Sequence, residues 1–331
     1  MTLRYAIVTD IHANWHALQA IVVDVAKENS HHPDEPYRFW FLGDIIGYGP
    51  HPIECLNWLR YKSRIDDRWV PGNHDVWLLE REGVNPDATE SLTRHRNLLE
   101  SDAHAETGEW FRKEMERALL PDPAKLKGNR ETRSMVREQV ADRTLLFVHA
   151  SPMDTRRNTY LKPWINGILS IAFTEIATEV APETNATLFC GHAHYPLYAR
   201  RLPDEQVALQ SIRYGCPLPI QPGLSIINPG SAGQPRDGDP RAAYALFDAG
   251  ANTIEFRRVN YEINKSVDAL KEGGYPDSLG KRLETGDGMS ELAEFSGCYQ
   301  RPKWDLEAIN SPSPGTLPNL TTDRNRGRND A

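Results

Sequence analysis

Residues 39–50, FWFLGDIIGYGP, constrain the fold of this chain more than any other stretch. Phe39 to Leu42 is a short, wholly apolar run, which is typical of a strand that is buried on both faces. The run stops at Gly43 and Asp44. An unpaired buried carboxylate is costly, and open α/β sheets bind ligands at the carboxyl ends of their strands. We therefore expect Asp44 to bridge two metal ions.

Composition and charge narrow the class of protein. The chain has 331 residues, of which 39% are hydrophobic and 25% charged, and its net charge is −8. A negative field disfavours nucleic acid and anionic membranes, so neither is expected as a stable partner. The four cysteines form no CxxC pair, and neither a signal-peptide pattern nor a membrane-length apolar run is present. These features predict a cytoplasmic enzyme and leave its oligomeric state open.

Strand-like and helical patterns alternate in the first part of the chain. Strands are predicted over residues 4–9, 37–42 and 68–70. Helices are predicted between them, one capped by Asn14 and one starting near Pro52. This order is typical of a mainly parallel α/β sheet. Two or three further helices are expected over about 76–120, as a cap beside the site.

The sequence patterns from residue 131 onward predict another sheet. A hairpin is expected over 131–148, followed by a helix over 166–180 with Ile168, Ile171 and Ile176 facing inward. Further short strands are predicted around 186–190, 196–212, 224–227, 242–248 and 253–259. The last four suggest a second, more antiparallel sheet. Two helices over 261–285 would close the fold.

The expected domain organisation is one folded domain and an extension. The domain would span 1–285, with the helical insertion at about 76–120, and residues 286–331 would form a C-terminal extension. From about Ser311 the sequence is rich in Pro, Asn, Arg and Gly and shows no periodicity, so we expect disorder there.

Five short motifs carry the candidate chemistry: Asp10-x-His12, Gly43-Asp44, Gly72-Asn73-His74-Asp75, His149 and Gly191-His192-Ala193-His194. Each motif alone occurs by chance, but all five follow strand-like runs. The spacing of two within the first and last motifs predicts that each pair faces one side of an extended segment. Their oxygen and nitrogen donors suit borderline divalent metals. The remaining histidines are expected to be solvated or locally bonded: His16, His31, His32, His51, His95 and His104.

This order of motifs, over residues 10–194, resembles the calcineurin-like metallophosphoesterase superfamily. The run NPGSAGQPRDGDPRAAYAL at 228–246 resembles its small prokaryotic phosphodiesterase branch. The resemblance implies an α/β fold, a four-layer α/β/β/α sandwich of two mixed β-sheets. It also implies a dinuclear metal site at the edge where the two sheets meet.

The resemblance further implies which residues bind the two ions. One ion would be held by Asp10, His12, Asp44 and His194. The other would be held by Asp44, Asn73, His149 and His192. The two divalent ions would be drawn from Mn, Fe, Zn, Ni and Co, and Mn²⁺ is the ion that we expect to support activity.

The implied reaction is attack on the phosphorus of a small phosphate ester by a hydroxide that the two ions share. His74 would stabilise phosphoryl oxygens and protonate the leaving group. Asp75 is a candidate catalytic residue or, alternatively, a helix cap. Candidate substrate contacts are Asn14, Tyr48, Arg236 and Arg241.

The protein phosphatases of this superfamily carry GDxxDRG, in which the second Asp orients the catalytic His and the Arg holds phosphate. Gly47 and Tyr48 stand at those two positions here. The difference favours a phosphodiesterase for small substrates such as aryl diesters or cyclic nucleotides. The alternatives are a phosphomonoesterase or protein serine/threonine phosphatase, and an inactive binding scaffold. The presence of His74 with every candidate ligand argues against the scaffold.

Overall fold

The computed structural model describes residues 3–62, 68–80, 85–119, 135–152, 159–181 and 184–287. In these ranges two mixed β-sheets pack face to face and helices cover both outer faces. The expected four-layer α/β/β/α sandwich is therefore confirmed. The predicted disorder from about residue 311 lies outside the described residues, and the domain boundary near residue 285 stays a prediction.

The described strands are β1 (Arg4–Val8), β2 (Arg38–Phe41), β3 (Arg68–Trp69), β4 (Val136–Val140), β5 (Arg143–Phe147), β6 (Asn185–Phe189), β7 (Leu197–Arg201), β8 (Val207–Leu209), β9 (Leu218–Pro219), β10 (Leu224–Asn228), β11 (Ala242–Asp248) and β12 (Thr253–Val259). The described helices are α1 (Trp15–His31), α2 (Pro52–Lys62), α3 (Asn73–Glu80), α4 (Pro86–Leu99), α5 (Ala105–Leu119), α6 (Ile168–Glu179), α7 (Ile263–Glu272) and α8 (Asp277–Thr285).

Each sheet has six strands. The first has the order β3-β2-β1-β11-β12-β9, and the second has the order β4-β5-β6-β10-β7-β8. Strands β1, β2 and β3 are parallel, as expected. The expectation that β11 and β12 belong to the second sheet is wrong, because β11 pairs antiparallel with β1. An apolar pattern specifies that a strand is buried but does not specify which strand it pairs with.

The core between the sheets follows from the alternation of side chains along each strand. Tyr5 and Ile7 of β1 face the second sheet, whereas Ala6 and Val8 pack beneath the helices. Aromatic side chains from both sheets fill the space between them. Trp40 of β2 stacks on Phe147 of β5, with ring centroids 3.8 Å apart and an interplanar angle of 4°.

The helices over 73–119 belong to the outer layer of the first sheet. Leu78, Leu92 and Phe111, one from each of α3, α4 and α5, share an apolar cluster with α1. Asn14 caps α1, as predicted, by accepting a hydrogen bond from the N–H of Ala17 at 3.3 Å. In the part of the chain that the structure describes, no helix is both long and apolar enough to cross a bilayer.

Helix α6 covers the second sheet, and its rotation differs from the predicted one at a single position. Ile171, expected to face inward, is 51% exposed. Ile176 is buried, as expected, and Leu169 and Phe173 share its buried face. An apolar helix with few polar residues gives a poor signal for its rotation, because several faces would satisfy the same pattern.

Replacing Trp40 with Ala tests how much the inter-sheet contact stabilises the fold. Trp40 is fully buried, so truncation leaves a cavity and should lower the free energy of unfolding by about 3–5 kcal/mol. Trp40→Phe keeps an aromatic ring and should lower the free energy of unfolding by less than Trp40→Ala does. Val23→Ala, at a position 65% exposed, should change it by less than about 0.5 kcal/mol. Urea unfolding measures all three variants, and a Trp40→Ala loss no larger than that of Val23→Ala would contradict the prediction.

Candidate metal centre and active site

The candidate site lies where the carboxyl ends of strands from both sheets meet. Asp10 and Asp44 follow β1 and β2 of the first sheet. His149 follows β5 of the second sheet, and His192 and His194 follow β6. All five residues are at most 4% exposed. The two sheets therefore contribute to one buried polar cluster.

Left-handed backbone conformations shape this cluster. The cluster also includes His12, and five of its residues have φ between 48° and 61°, namely Asp10, His12, Asp44, His192 and His194. The expectation that the pairs Asp10/His12 and His192/His194 lie on extended segments is wrong. Strands β1 and β6 end before these residues, and the chain turns there. Such non-glycine residues cost about 1–3 kcal/mol each and persist only where their surroundings hold them. One such restraint is the N–H of His12, which donates to the carbonyl of Asp44 at 2.8 Å.

Asp44 lies in close contact with the start of α3. A Cβ on Gly72 would lie 2.1 Å from Oδ1 of Asp44, so a side chain at position 72 would displace the carboxylate. The same Oδ1 accepts a hydrogen bond from the N–H of His74 at 2.8 Å. Glycine at position 72 therefore lets the backbone of α3 reach the carboxylate that ends β2.

Two sets of donor atoms share Asp44. The donor atoms of each set lie within 4.8 Å of one another. The first set is Asp10, His12, Asp44 and His194, and the second is Asp44, His149 and His192. Oδ1 of Asn73 lies next to the second set, 3.0 Å from Nε2 of His149. The grouping coincides with the division that the resemblance implied, and the ligand roles stay predictions.

Three of these imidazole rings are oriented by backbone carbonyls. Nδ1 of His12, His149 and His194 lies near the carbonyl oxygens of Ile46, Leu42 and Gln234, at 3.2, 2.6 and 2.5 Å respectively. A carbonyl oxygen can only accept, so Nδ1 of each ring carries a hydrogen. The other nitrogen, Nε2, is thereby directed into the cluster, as in metal-binding histidines.

The contact between His12 and His194 shows that the donor set fits a cation. Their Nε2 atoms are 3.0 Å apart, and they lie 3.9 and 3.2 Å from Oδ1 of Asp10. Because both neutral rings carry their hydrogen on Nδ1, two lone pairs face each other. A divalent ion between these nitrogens and the carboxylate would replace that repulsion with attraction.

Burial keeps most of these rings neutral. It lowers the pKa of His12 and His194, and it lowers the pKa of His192 to about 3. His149 differs, because burial is outweighed by the carboxylate of Asp44, which raises the pKa of the ring to about 9. A cation that binds at His149 would therefore displace a proton from the ring.

His74 lies beside the donor atoms but belongs to neither set. Its ring centroid is 4.8 Å from that of His12, and burial lowers its pKa to about 4. Its buried Nδ1 has no hydrogen-bond partner among the described residues. This placement suits the predicted role of His74 in acting on the substrate.

Asp75 binds backbone groups near the cluster. Its Oδ1 accepts hydrogen bonds from the N–H groups of Ile45 and Ile46 at 3.0 and 3.3 Å, and its Oδ2 accepts one from Gly72 at 2.9 Å. A residue in the first turn of α3 that bonds the N–H just before the helix fits the capping interpretation. These bonds also hold the loop after β2 against α3.

The structure gives Asn14 and Arg236 different surroundings. Beyond capping α1, Asn14 donates to the carbonyl of Gly233 at 2.9 Å, which ties its amide to the fold. Burial and then the positive charge of Arg236 lower the pKa of His194, so this guanidinium acts on the cluster. The guanidinium of Arg241 pairs instead with Asp239 at 2.6 Å.

Two residues that the motifs did not include also contact the cluster. Thr9 donates from Oγ1 to Oδ2 of Asp10 at 2.9 Å. Tyr160 stacks on His192, with ring centroids 4.1 Å apart and an interplanar angle of 18°. Thr9 precedes a motif residue and could have been suspected from its position, whereas no local signal places Tyr160 beside a distant histidine.

Comparison with known proteins agrees with this geometry. The family model of the calcineurin-like phosphoesterases matches residues 3–212. The chain belongs to this family. The family and the two donor sets together define a metallophosphoesterase, a phosphoric ester hydrolase that uses divalent metal ions.

Three known proteins illustrate the similarity. The crystal structure of a metallophosphoesterase from Sphaerobacter thermophilus is 32% identical, with a TM-score of 0.63, and the match covers 86% of this chain and 100% of that one. An uncharacterized protein of Methanocaldococcus jannaschii is 27% identical over 282 residues, 85% of this chain and 97% of that protein. A symmetrical bis(5'-nucleosyl)-tetraphosphatase of Erwinia tasmaniensis is 32% identical over 109 residues, 33% of this chain and only 37% of that protein.

Asp44→Asn tests whether one carboxylate serves both donor sets. The variant keeps the size of the side chain but removes the charge, so we expect bound Mn²⁺ to fall from two equivalents per chain to at most one. Elemental analysis after dialysis against Mn²⁺ measures this. Asp248→Asn removes a carboxylate that pairs with Arg4 at the opposite end of β1, outside both donor sets, and should retain both ions. Two ions retained by Asp44→Asn would show that Asp44 is not the shared ligand.

Proposed function

We propose that this chain hydrolyses phosphodiester bonds of small substrates, such as aryl diesters and cyclic nucleotides. The observation that carries the proposal is the pair of buried donor sets that share Asp44, with a neutral His74 beside them. This arrangement supports phosphoryl chemistry at the edge of the two sheets.

The ions and the protein would contribute different parts of the reaction. When bound by the two donor sets, the ions would polarise phosphoryl oxygens and supply a nucleophile at neutral pH. Arg236, whose positive charge lowers the pKa of His194, would attract the anionic substrate. His74 would protonate the leaving oxygen. Its pKa is low in the buried site, and a phosphate anion next to the ring favours the charged form.

The segment that follows Asp44 supports a diester over a monoester. A Cβ on Gly47 would lie 2.3 Å from Nδ1 of His74, so position 47 has no room for the carboxylate of the phosphatases. Tyr48 at the next position offers a ring, and its hydroxyl accepts a hydrogen bond from Asn85 at 3.3 Å. A dianionic monoester would therefore lack the bidentate cation that the phosphatases place there. A diester carries one negative charge fewer and depends less on that cation.

Steady-state kinetics with Mn²⁺ test the substrate class. We expect a higher kcat/KM for bis(p-nitrophenyl) phosphate than for p-nitrophenyl phosphate, and little turnover of phosphoserine peptides. A preference for the monoester or rapid peptide dephosphorylation would instead identify a phosphatase. The partial similarity to a bis(5'-nucleosyl)-tetraphosphatase adds a bis(5'-nucleosyl) tetraphosphate to the substrates to be compared.

His74→Ala separates chemistry from metal binding. Because His74 lies outside both donor sets, the variant should keep its Mn²⁺ content while kcat falls about 10²-fold or more. A general acid matters most for a poor leaving group, so the fall should be larger for an alkyl than for a p-nitrophenyl leaving group. Loss of one metal equivalent, or an equal fall for both leaving groups, would refute this role.

A further inference from the structure

Two side chains of helix α4 bind the backbone of three consecutive residues in the loop after Asp44. Nδ1 of His95 accepts a hydrogen bond from the N–H of Gly47 at 3.2 Å. Nε2 of His95 lies 2.8 Å from the carbonyl oxygen of Gly49. Between these bonds, Oγ of Ser91 accepts one from the N–H of Tyr48 at 3.0 Å. We call residues 46–49 the GYG loop.

These bonds define the state of His95. The carbonyl of Gly49 can only accept, so Nε2 carries the hydrogen and Nδ1 has the lone pair that receives the N–H of Gly47. A neutral imidazole meets both needs at once, and burial lowers the pKa of His95 to about 4. His95 and Ser91 are both 0% exposed. Of the two alternatives expected for His95, the solvated one is wrong. His95 is buried and bonded, and its partners lie on a loop from another part of the chain.

The GYG loop contacts both His12, a candidate metal ligand, and His74, the candidate general acid. The carbonyl of Ile46 accepts from Nδ1 of His12 at 3.2 Å, and the N–H of Gly49 donates to the carbonyl of His12 at 3.0 Å. On the side of His74 the fit is so close that a Cβ on Gly47 would lie 2.3 Å from Nδ1. A shift of this loop would therefore move a candidate metal ligand and the candidate general acid together.

The ring of Tyr48, in the middle of the GYG loop, also lies beside both histidines. It lies 4.9 Å from the ring of His12 and 4.5 Å from the ring of His74, measured between centroids. The backbone of Tyr48 is left-handed, with φ of 56°, and Gly47 has φ of 92°. Non-glycine residues in this conformation are held by their surroundings. The bonds from α4 to residues 47, 48 and 49 provide that support.

We propose that His95 and Ser91 are positioning residues, which hold the GYG loop against His12 and His74. The inference rests on the proposed function only for its effect on turnover. Helix α4 thereby supports the active site indirectly, through the GYG loop. Its two side chains act through the loop and do not touch the reacting atoms.

Three variants test the proposal in the full-length protein. His95→Ala removes both bonds to the GYG loop. His95→Gln offers one acceptor and one donor on a planar group and should restore much of what His95→Ala loses. Leu99→Ala is the matched control, because Leu99 lies on the same helix, is 5% exposed and packs in the apolar cluster of α1.

The first readout does not require turnover. In His95→Ala, amide hydrogen exchange over residues 45–51 should rise at least about tenfold, while exchange in β1 stays unchanged. The affinity for Mn²⁺ should fall about 10–100-fold, because His12 loses a firmly held partner for its Nδ1. Leu99→Ala should lower the melting temperature without either effect. Exchange and Mn²⁺ affinity in His95→Ala that match those of Leu99→Ala would overturn the proposal.

The second readout is catalytic. With saturating Mn²⁺, kcat for bis(p-nitrophenyl) phosphate should fall at least about tenfold in His95→Ala, with a smaller change in KM, and should largely recover in His95→Gln. A kcat in His95→Ala equal to that of the wild type would refute the positioning role. If the wild-type chain does not hydrolyse diesters, the proposed function fails, and exchange and Mn²⁺ affinity still decide the role of His95.

Discussion

The position of the Asp44 carboxylate controls the rest of the site. Its Oδ1 is bonded to the N–H of His74, and its Oδ2 lies 3.6 Å from Nε2 of His12 and 3.4 Å from Nε2 of His149. These partners come from α3, from the loop after β1 and from the end of β5. A buried charge must be compensated by the groups around it. One carboxylate therefore contacts groups from both sheets at this edge and is common to the two donor sets.

The strained loops at the site depend on the packed core between the sheets. Five cluster residues are left-handed, at about 1–3 kcal/mol each, and they carry the donors off the ends of their strands into one small volume. The packed core between the sheets, with Trp40 stacked on Phe147, holds the strand ends in place. Cations that bind only the folded chain would add stability that grows with the logarithm of their concentration relative to their dissociation constant. The same ions would thus offset the strain that forms their site.

The residues that could be predicted from the sequence are those whose signal is local. Asp44 follows an apolar run and lies just after strand β2, as predicted. Asn14 precedes a helical pattern and caps α1, as predicted. The sheet that β11 joins could not be predicted, because partner choice depends on contacts across the whole fold. The rotation of α6 that exposes Ile171 depends in the same way on the surface beneath it. His95 gave no signal, because its partners at 47 and 49 lie on a separate segment.

Gly47 changes how His74, the candidate general acid, is held. The protein phosphatases of the superfamily place at this position the aspartate that orients the histidine, whereas here Nδ1 of His74 is buried without a partner among the described residues. Its ring is instead packed against the rings of Tyr48 and Trp77, at 4.5 and 4.9 Å between centroids. Packing restrains the plane of a ring but does not select which nitrogen carries the hydrogen. Burial lowers the pKa of His74 and the Asp44 carboxylate opposes that shift. On the proposed function, a bound phosphate ester would act in the same direction as Asp44, and the supports of the GYG loop would provide the positioning that a hydrogen bond would otherwise provide.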